Sequence, residues 1–397
     1  MSTPPPLRIA QLNSLLTGGG TDDQCLKLSA QLHRLGQRVV LAGPAGRPLA
    51  PLAAEAGAPF LDTGARAGQF LFVLRAARFI RREKAQIVHA HHGRDFWPAI
   101  LAARLAGTGP KIVLTRHLAK SPGSPASRRF LLGQCDALIA VSEFVAKVLR
   151  EGAYEPQSPE PERRARPPLR GDHGKIHVIP GGLDAARFRP AEAADKRREL
   201  GLQPGEYAFA AAGGFDLPRG KGQREFLAAA ARLHRDNPQA RFLVIGRGNM
   251  AGVLQGDIAR LGLQGKAWLA GHATDMPQVM NAIDCLVHPQ IGTEALGLVV
   301  CEAHACGKPV IASALDGIPE AFAGGNHGRL VPPGDVGALA AAMAAQMREP
   351  KLTPAQAEEL HRRVAEAFSM ERMGAKVLRL YRDLLGCGGG DEDESKA

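Results

Sequence analysis

The sequence predicts an α/β protein built as two doubly wound domains in series. Its 397 residues suffice for two separate cores. Short β-rich runs alternate with helical stretches, as parallel sheets covered by helices require. One stretch at 151–175, rich in Pro, Glu and Arg, interrupts the alternation and separates two series of elements. Each series then forms one sheet, and the expected ligand cleft lies between the carboxyl ends of the strands of the two domains.

In the first series the apolar runs 7–13, 38–42, 87–91, 111–116 and 137–142 read as strands. Helices are expected between them, for example at 22–35 and 69–82. Gly18-Gly19-Gly20 follows the first strand, where glycine lets a backbone approach a phosphate or sugar at a helix start, or else makes a plain tight turn. Thr21 and Gln24 have the spacing of a capping box. The helix at 69–82 is basic and amphipathic, suited either to a membrane interface or to a core with a solvated arginine face. His89-Ala90-His91-His92 ends one strand and His117 follows the next, both at carboxyl ends. No nearby cysteine or carboxylate completes a zinc ligand set there, so some of these histidines are expected to line the cleft and hydrogen-bond sugar or phosphate.

The second series places strands at 207–212, 240–245, 266–270, 284–288, 309–313 and 328–331. The loop after its first strand, Gly213 to Gly222, is glycine-rich and holds Arg219 and Lys221. Two cations before a helix suit a leaving diphosphate, or else form a solvated basic turn. Thr293-Glu294-Ala295-Leu296-Gly297-Leu298-Val299-Val300-Cys301-Glu302 follows the strand 284–288. A helix starting near Gly297 aims its free N–H groups at the crevice, a natural diphosphate site. Glu294 and Glu302 then accept hydrogen bonds from sugar and ribose hydroxyls, or are two solvated helix acids.

Composition narrows the function classes. No apolar run reaches the roughly 18 residues a bilayer span needs. Residues 1–6, Met-Ser-Thr-Pro-Pro-Pro, do not read as a secretory signal, and six scattered cysteines fit a reducing, cytoplasmic setting. Residues 1–175 hold 25 Lys+Arg against 13 Asp+Glu, whereas 176–397 hold 25 against 26. The basic excess therefore sits on the first half and implies an anionic partner. With 5% aromatic residues and no basic–aromatic interleaving, nucleic acid is not expected, and an anionic membrane surface or phosphorylated lipid-linked acceptor fits better.

Taken with Lys175 to Asp184 (Lys-Ile-His-Val-Ile-Pro-Gly-Gly-Leu-Asp), Gly307 to Ser313, Asp316-Gly317-Ile318-Pro319-Glu320 and Gly328 to Asp335, these motifs make the chain resemble the retaining GT-B glycosyltransferases of family 4. The resemblance implies two Rossmann-like domains: 1–178, on the acceptor side and carrying the exposed insertion 151–175, and 179–369, binding the nucleotide sugar. It also implies a helix at 370–386 crossing back to the first domain; 387–397 reads as a disordered tail. The implied activity is sugar transfer from a nucleotide-diphosphate sugar to a glycan or glycolipid acceptor, with no metal and no cofactor beyond the donor. The expected location is cytoplasmic, peripheral to the inner face of the membrane.

By position, Glu294, Lys221, Arg219 and His117 are the catalytic candidates. Gly19, His91, Gly297, Leu298, Val299 and Glu302 are the substrate-binding ones. The family's usual Gly-Arg-Leu is here Gly214-Phe215-Asp216, so either Arg219 replaces that arginine or its charge is lost. A sugar-nucleotide epimerase shares this architecture and stays open at this stage, as does transfer to a soluble acceptor.

Overall fold

The computed structural model describes residues 5–14, 20–43, 60–62, 69–153, 164–217, 220–322 and 327–387. It divides into two units, residues 1–182 with the C-terminal stretch from Met370, and Leu183–Ser369. The first unit runs β1 (Arg8–Leu12), α1 (Gly20–Arg34), β2 (Arg38–Gly43), β3 (Phe60–Asp62), α2 (Gln69–Arg82), β4 (Ile87–Ala90), α3 (Phe96–Ala106), β5 (Lys111–Arg116), α4 (Pro125–Phe130), β6 (Ala137–Ala140), α5 (Glu143–Glu151) and β7 (Ile176–Val178). The second runs α6 (Ala194–Glu199), β8 (Tyr207–Ala212), α7 (Gln223–His234), β9 (Ala240–Ile245), α8 (Ala251–Arg260), β10 (Ala267–Gly271), α9 (Met276–Ala282), β11 (Cys285–His288), α10 (Leu298–Ala305), β12 (Val310–Ser313), β13 (Gly328–Val331), α11 (Val336–Arg348) and α12 (Pro354–Phe368). The last helix, α13 (Met370–Leu384), belongs to the first unit, where it packs on α1.

Both sheets are parallel. The first is ordered β3-β2-β1-β4-β5-β6-β7 and the second β10-β9-β8-β11-β12-β13. Strand order reverses at β1/β4 in one and β8/β11 in the other, and these switch points open a crevice beyond the strands' carboxyl ends. Side-chain alternation explains why the second sheet is buried on both faces. Ala208, Ala210, Leu243, Ile245, Leu286 and Val310 enter one core layer. Phe209, Ala211, Phe242, Val244, Val287 and Ile311 enter the other. A strand covered on both faces reads as a continuous apolar run, which is why these strands are visible in the sequence.

Several expectations change. β3 and β7 join the first sheet as edge strands of three residues each, too short for a periodic signal. The capping box is not formed. α1 already begins at Gly20, and the Gln24 amide instead bonds the backbone of Gly182 in both directions, Nε2 to O at 3.0 Å and Oε1 from N at 2.8 Å.

Most described residues of the 151–175 insertion are exposed, but Arg166 and Leu169 within them are buried. Ala153 and Arg166 form an antiparallel bridge, and Arg166 is only 1% exposed. Its guanidinium donates to the Ala119 carbonyl at 3.0 Å and stacks over Phe144. Packing of its stem and delocalised cation on an aromatic face is what lets this one arginine of a mostly exposed segment be buried. Residues 154–163 of that segment, and the tail from 388, lie outside the described residues.

Candidate active site

The second unit's switch point assembles the site. The loop after β8 carries Lys221 and the loop after β11 carries Glu294, and β8 and β11 are hydrogen-bonded neighbours. Lys221 Nζ therefore stands 2.9 Å from Glu294 Oε2, although 73 residues separate the two in sequence. Lys221 is 39% exposed and Glu294 17%, so the pair faces solvent through its lysine side.

Glycines hold the first loop against its neighbours. Gly213 has φ 141°, and a Cβ there would stand 3.0 Å from Lys221 Cδ. Gly222, with φ 85°, caps α7 so close to β11 that a Cβ would lie 1.9 Å from the Pro289 carbonyl oxygen. Buried Gln223 ties the loop together, accepting from Lys221 N at 2.7 Å and donating to Gly214 O at 3.3 Å.

The second loop is clamped from behind. Glu294 N donates to Asp316 Oδ2 at 3.3 Å, and Gly317 N donates to Glu294 O at 3.2 Å. Asp316 takes a positive φ of 48° to do so, and Gly317 has no room for a Cβ, which would fall 2.0 Å from Ala295 O. The Asp316-Gly317 dipeptide thus holds the glutamate's backbone. Gln290 Nε2 approaches Glu294 Oε2 at 3.5 Å.

Gly297, at φ 84°, is the N-cap of α10, beside the Glu294 side chain. The first-turn amides of Leu298 and Val299 have no carbonyl acceptor within their helix, so α10 offers donors and the positive dipole end here. Glu302 lies half-buried within the same helix.

Burial alone would raise the Glu294 pKa. Lys221 and His288 outweigh that and hold the carboxyl well below the usual carboxylate range. His288 ends β11, is fully buried, and aims Nε2 at Glu294 Oε2 across 3.7 Å, with no hydrogen-bond partner for that nitrogen among the described residues. Sequence reasoning left His288 out, although the signal that marked His91 and His117, a histidine at a strand's carboxyl end, applies to it equally.

Phe215 settles one departure. The side chain that replaces the family's usual arginine is 3% exposed and packed in the core layer with Phe209 and Phe226, so no cation stands there. Asp216 next to it accepts from Asn249 N at 2.9 Å and shapes the turn. Arg219 and Gly19, the two remaining candidates, lie outside the described residues.

His91 and His117 come together in the first unit, at the carboxyl ends of β4 and β5. His91 Nδ1 is 3.4 Å from His117 Nε2, and His91 Nε2 is 2.6 Å from Gln11 Oε1. His89 sits beside them, with Nδ1 2.6 Å from the Tyr381 hydroxyl and Nε2 2.6 Å from Thr115 Oγ1. His91 is buried with both ring nitrogens engaged inside the protein. The same engagement leaves neither His89 nor His91 a nitrogen free for a metal. His117 is half-buried, and desolvation together with Arg116 and His92 lowers its pKa to about 3.

Known families match both units. A model described as "Glycosyltransferase Family 4" matches residues 18–157, and one described as "Glycosyl transferases group 1" matches residues 206–349. With the paired doubly wound units, these define the class: the chain belongs to the GT-B glycosyltransferases. A D-inositol 3-phosphate glycosyltransferase of Mycobacterium ulcerans is 32% identical over 336 residues, 79% of this chain and 67% of the relative. The enzyme of that name from Segniliparus rotundus is 34% identical over 257 residues, covering 62% of this chain and 54% of it. A phosphatidyl-myo-inositol mannosyltransferase of Mycolicibacterium smegmatis is 31% identical over 216 residues, covering 53% and 52%. The chain spans about half the length of these last two relatives.

Solved structures share the fold. Anabaena HepE in complex with UDP and glucose superposes with a TM-score of 0.78 at 20% identity, over 94% of this chain and 99% of that one. A glycosyltransferase from Rickettsia africae gives 0.80 at 21% identity, over 96% and 99%.

Proposed function

We propose that the protein transfers a sugar, with retention of anomeric configuration, from a nucleotide-diphosphate sugar to a membrane-associated glycan or glycolipid, as in the synthesis of lipopolysaccharide or another cell-surface polysaccharide. The carrying observation is the Lys221–Glu294 pair beside the α10 amides at the second unit's switch point. Glu294, kept ionised, accepts hydrogen bonds from the donor sugar's hydroxyls. Lys221 and the amides of Leu298 and Val299 take the diphosphate, whose charge grows as the glycosidic bond lengthens. In this reading the departing β-phosphate accepts the acceptor's proton on the same face, and Glu302 holds the ribose. No metal is needed, because lysine and helix dipole supply the positive field. The test is a thermal-shift screen across nucleotide sugars, followed by the anomeric configuration of the product by NMR. A donor at 100 times its Kd adds about 2.7 kcal/mol of stability. An inverted product, interconversion of free nucleotide sugars in place of transfer, or turnover abolished by EDTA would each defeat a named part of the proposal.

The acceptor clause rests on the basic first half and on α2. That helix buries Phe72, Val73, Ala76, Phe79 and Ile80 and turns Arg75, Arg78 and Arg82 outward. Phe70, 77% exposed, and Leu71 stand at its start. Exposed apolar and cationic side chains on one helix suit an anionic lipid surface. Among the described residues no helix is long and apolar enough to cross a membrane. Flotation on anionic liposomes at low salt is expected to carry the protein, and Arg75→Glu with Arg78→Glu to release it. Absence of binding would instead favour a soluble acceptor, the reading suggested by relatives named for inositol 3-phosphate.

A further inference from the structure

The buried histidines of the first unit form one hydrogen-bonded chain that begins on the last helix. Tyr381 of α13 is fully buried. Its hydroxyl meets His89 Nδ1 at 2.6 Å and Gln11 Nε2 at 3.5 Å. The Gln11 amide continues through Oε1 to His91 Nε2 at 2.6 Å, and His91 Nδ1 reaches His117 Nε2 at 3.4 Å. Thr115 Oγ1 closes the other end on His89 Nε2 at 2.6 Å.

The donors and acceptors of this chain can be ordered by elementary rules. An amide oxygen only accepts, so His91 must carry its proton on Nε2 to face Gln11 Oε1. A neutral His91 then has a bare Nδ1, which accepts from His117 Nε2–H. A neutral His117 therefore has its lone pair on Nδ1. On the other branch an amide NH₂ only donates, so Tyr381 accepts from Gln11 and spends its single proton on His89 Nδ1. His89 then donates from Nε2 to Thr115.

We propose that Tyr381 is a positioning residue for His117: through Gln11 and His91 it fixes the His117 ring as the Nε2–H tautomer. The ring so held offers Nδ1 as a hydrogen-bond acceptor, and no described residue is bonded to that atom. An acceptor nitrogen recognises a hydroxyl and rejects an unprotonated phosphate oxygen. Identifying that hydroxyl as one on the transferred sugar rests on the proposed function; the tautomer does not.

Charge states agree with the assignment. Burial lowers the pKa of His89 to about 3 and that of His91 well below its ordinary value. With His117 also depressed, all three rings are neutral near pH 7, when tautomer is the remaining variable. Tyr381 lies 292 residues from His89 in sequence, so its hydroxyl brings the last helix into hydrogen-bond contact with these rings.

The experiment is nitrogen-15 NMR of the full chain labelled selectively at histidine, with His117 assigned from the spectrum of His117→Gln. Wild type is expected to show His117 protonated at Nε2 alone. Tyr381→Phe keeps the ring's shape but frees the Gln11 amide to turn, and Gln11→Met removes the acceptor facing His91. Each is expected to convert His117 to a mixture of tautomers. A wild-type His117 protonated at Nδ1 would mean that the chain runs with the opposite polarity and would overturn the assignment. So would a single Nε2–H tautomer persisting in both variants. The spectrum needs no substrate, so its outcome is separate from whether the protein transfers sugar, and the wild-type reading stands even if a variant does not fold.

Discussion

Lys221→Ala is expected to lower turnover on the authentic donor and acceptor by roughly 10²-fold or more. Two effects add in the same direction. The variant loses a cation held beside the α10 amides, where the proposed reaction develops negative charge on the leaving diphosphate. It also removes the partner that stands 2.9 Å from Glu294. Burial of Glu294 favours its neutral form, and Lys221 is the largest of the influences opposing it. Without the lysine the Glu294 pKa rises, so the acid limb of donor binding moves to higher pH.

The sign for stability comes from the same depression. The folded-state pKa of Glu294 lies below its unfolded value, so the pair's contribution is present above the ordinary carboxylate range. It is lost as pH falls through the folded value. The Tm difference between wild type and Lys221→Ala should therefore shrink on acidification. Steady-state rates and thermal scans over a pH series check both statements. A variant with unchanged rates and an unmoved acid limb removes Lys221 from the mechanism.

Gly222→Ala carries the second large effect, and it acts on the fold. The residue has φ 85°, and a new Cβ would lie 1.9 Å from Pro289 O and 2.6 Å from Pro289 C. Both are backbone atoms, so no rotamer change relieves the contact. A left-handed alanine costs about 1–2 kcal/mol by itself. Moving the α7 cap away from β11 brings the total to roughly 3 kcal/mol or more. For a unit of this size that lowers Tm by roughly 6–12 °C. Pro289 leads into the loop holding Glu294, so activity should fall with stability. Gly256→Ala is the matched control. It sits within α8 with nothing within 4 Å of its new Cβ, and should stabilise by about 0.5–1 kcal/mol. Equal Tm values for the two alanine variants would rule out the proposed close approach.

Much of this was legible in the chain because of how parallel sheets are buried. A run such as Ala240–Ile245 packs on both faces and so reads as unbroken apolar sequence. Glu294 and Gly297 were legible because a helix start after a strand has a chemical meaning wherever it occurs. The misses share a cause. β3 and β7 are held by neighbouring strands, not by their own three residues. Gln24 looked like a cap until Gly182 offered it a better pair of partners. Arg166 looked exposed because its composition is polar, and Phe215 marks where a resemblance stops at the core.

The sequence by itself determined the layered α/β class, most of the strands, and the glycine-rich turns and charged residues that follow the strands. Those are local properties, set by periodicity, by glycine's freedom at positive φ, and by the residues that succeed a strand. Only the tertiary structure decided that β8 and β11 are neighbours, which brings Lys221 to Glu294 and lets His288 stand behind them. It alone decided that Tyr381 reaches His89 and Gln11. Strand order and helix return are fixed by which apolar faces cover one another, and no window of the chain contains both faces.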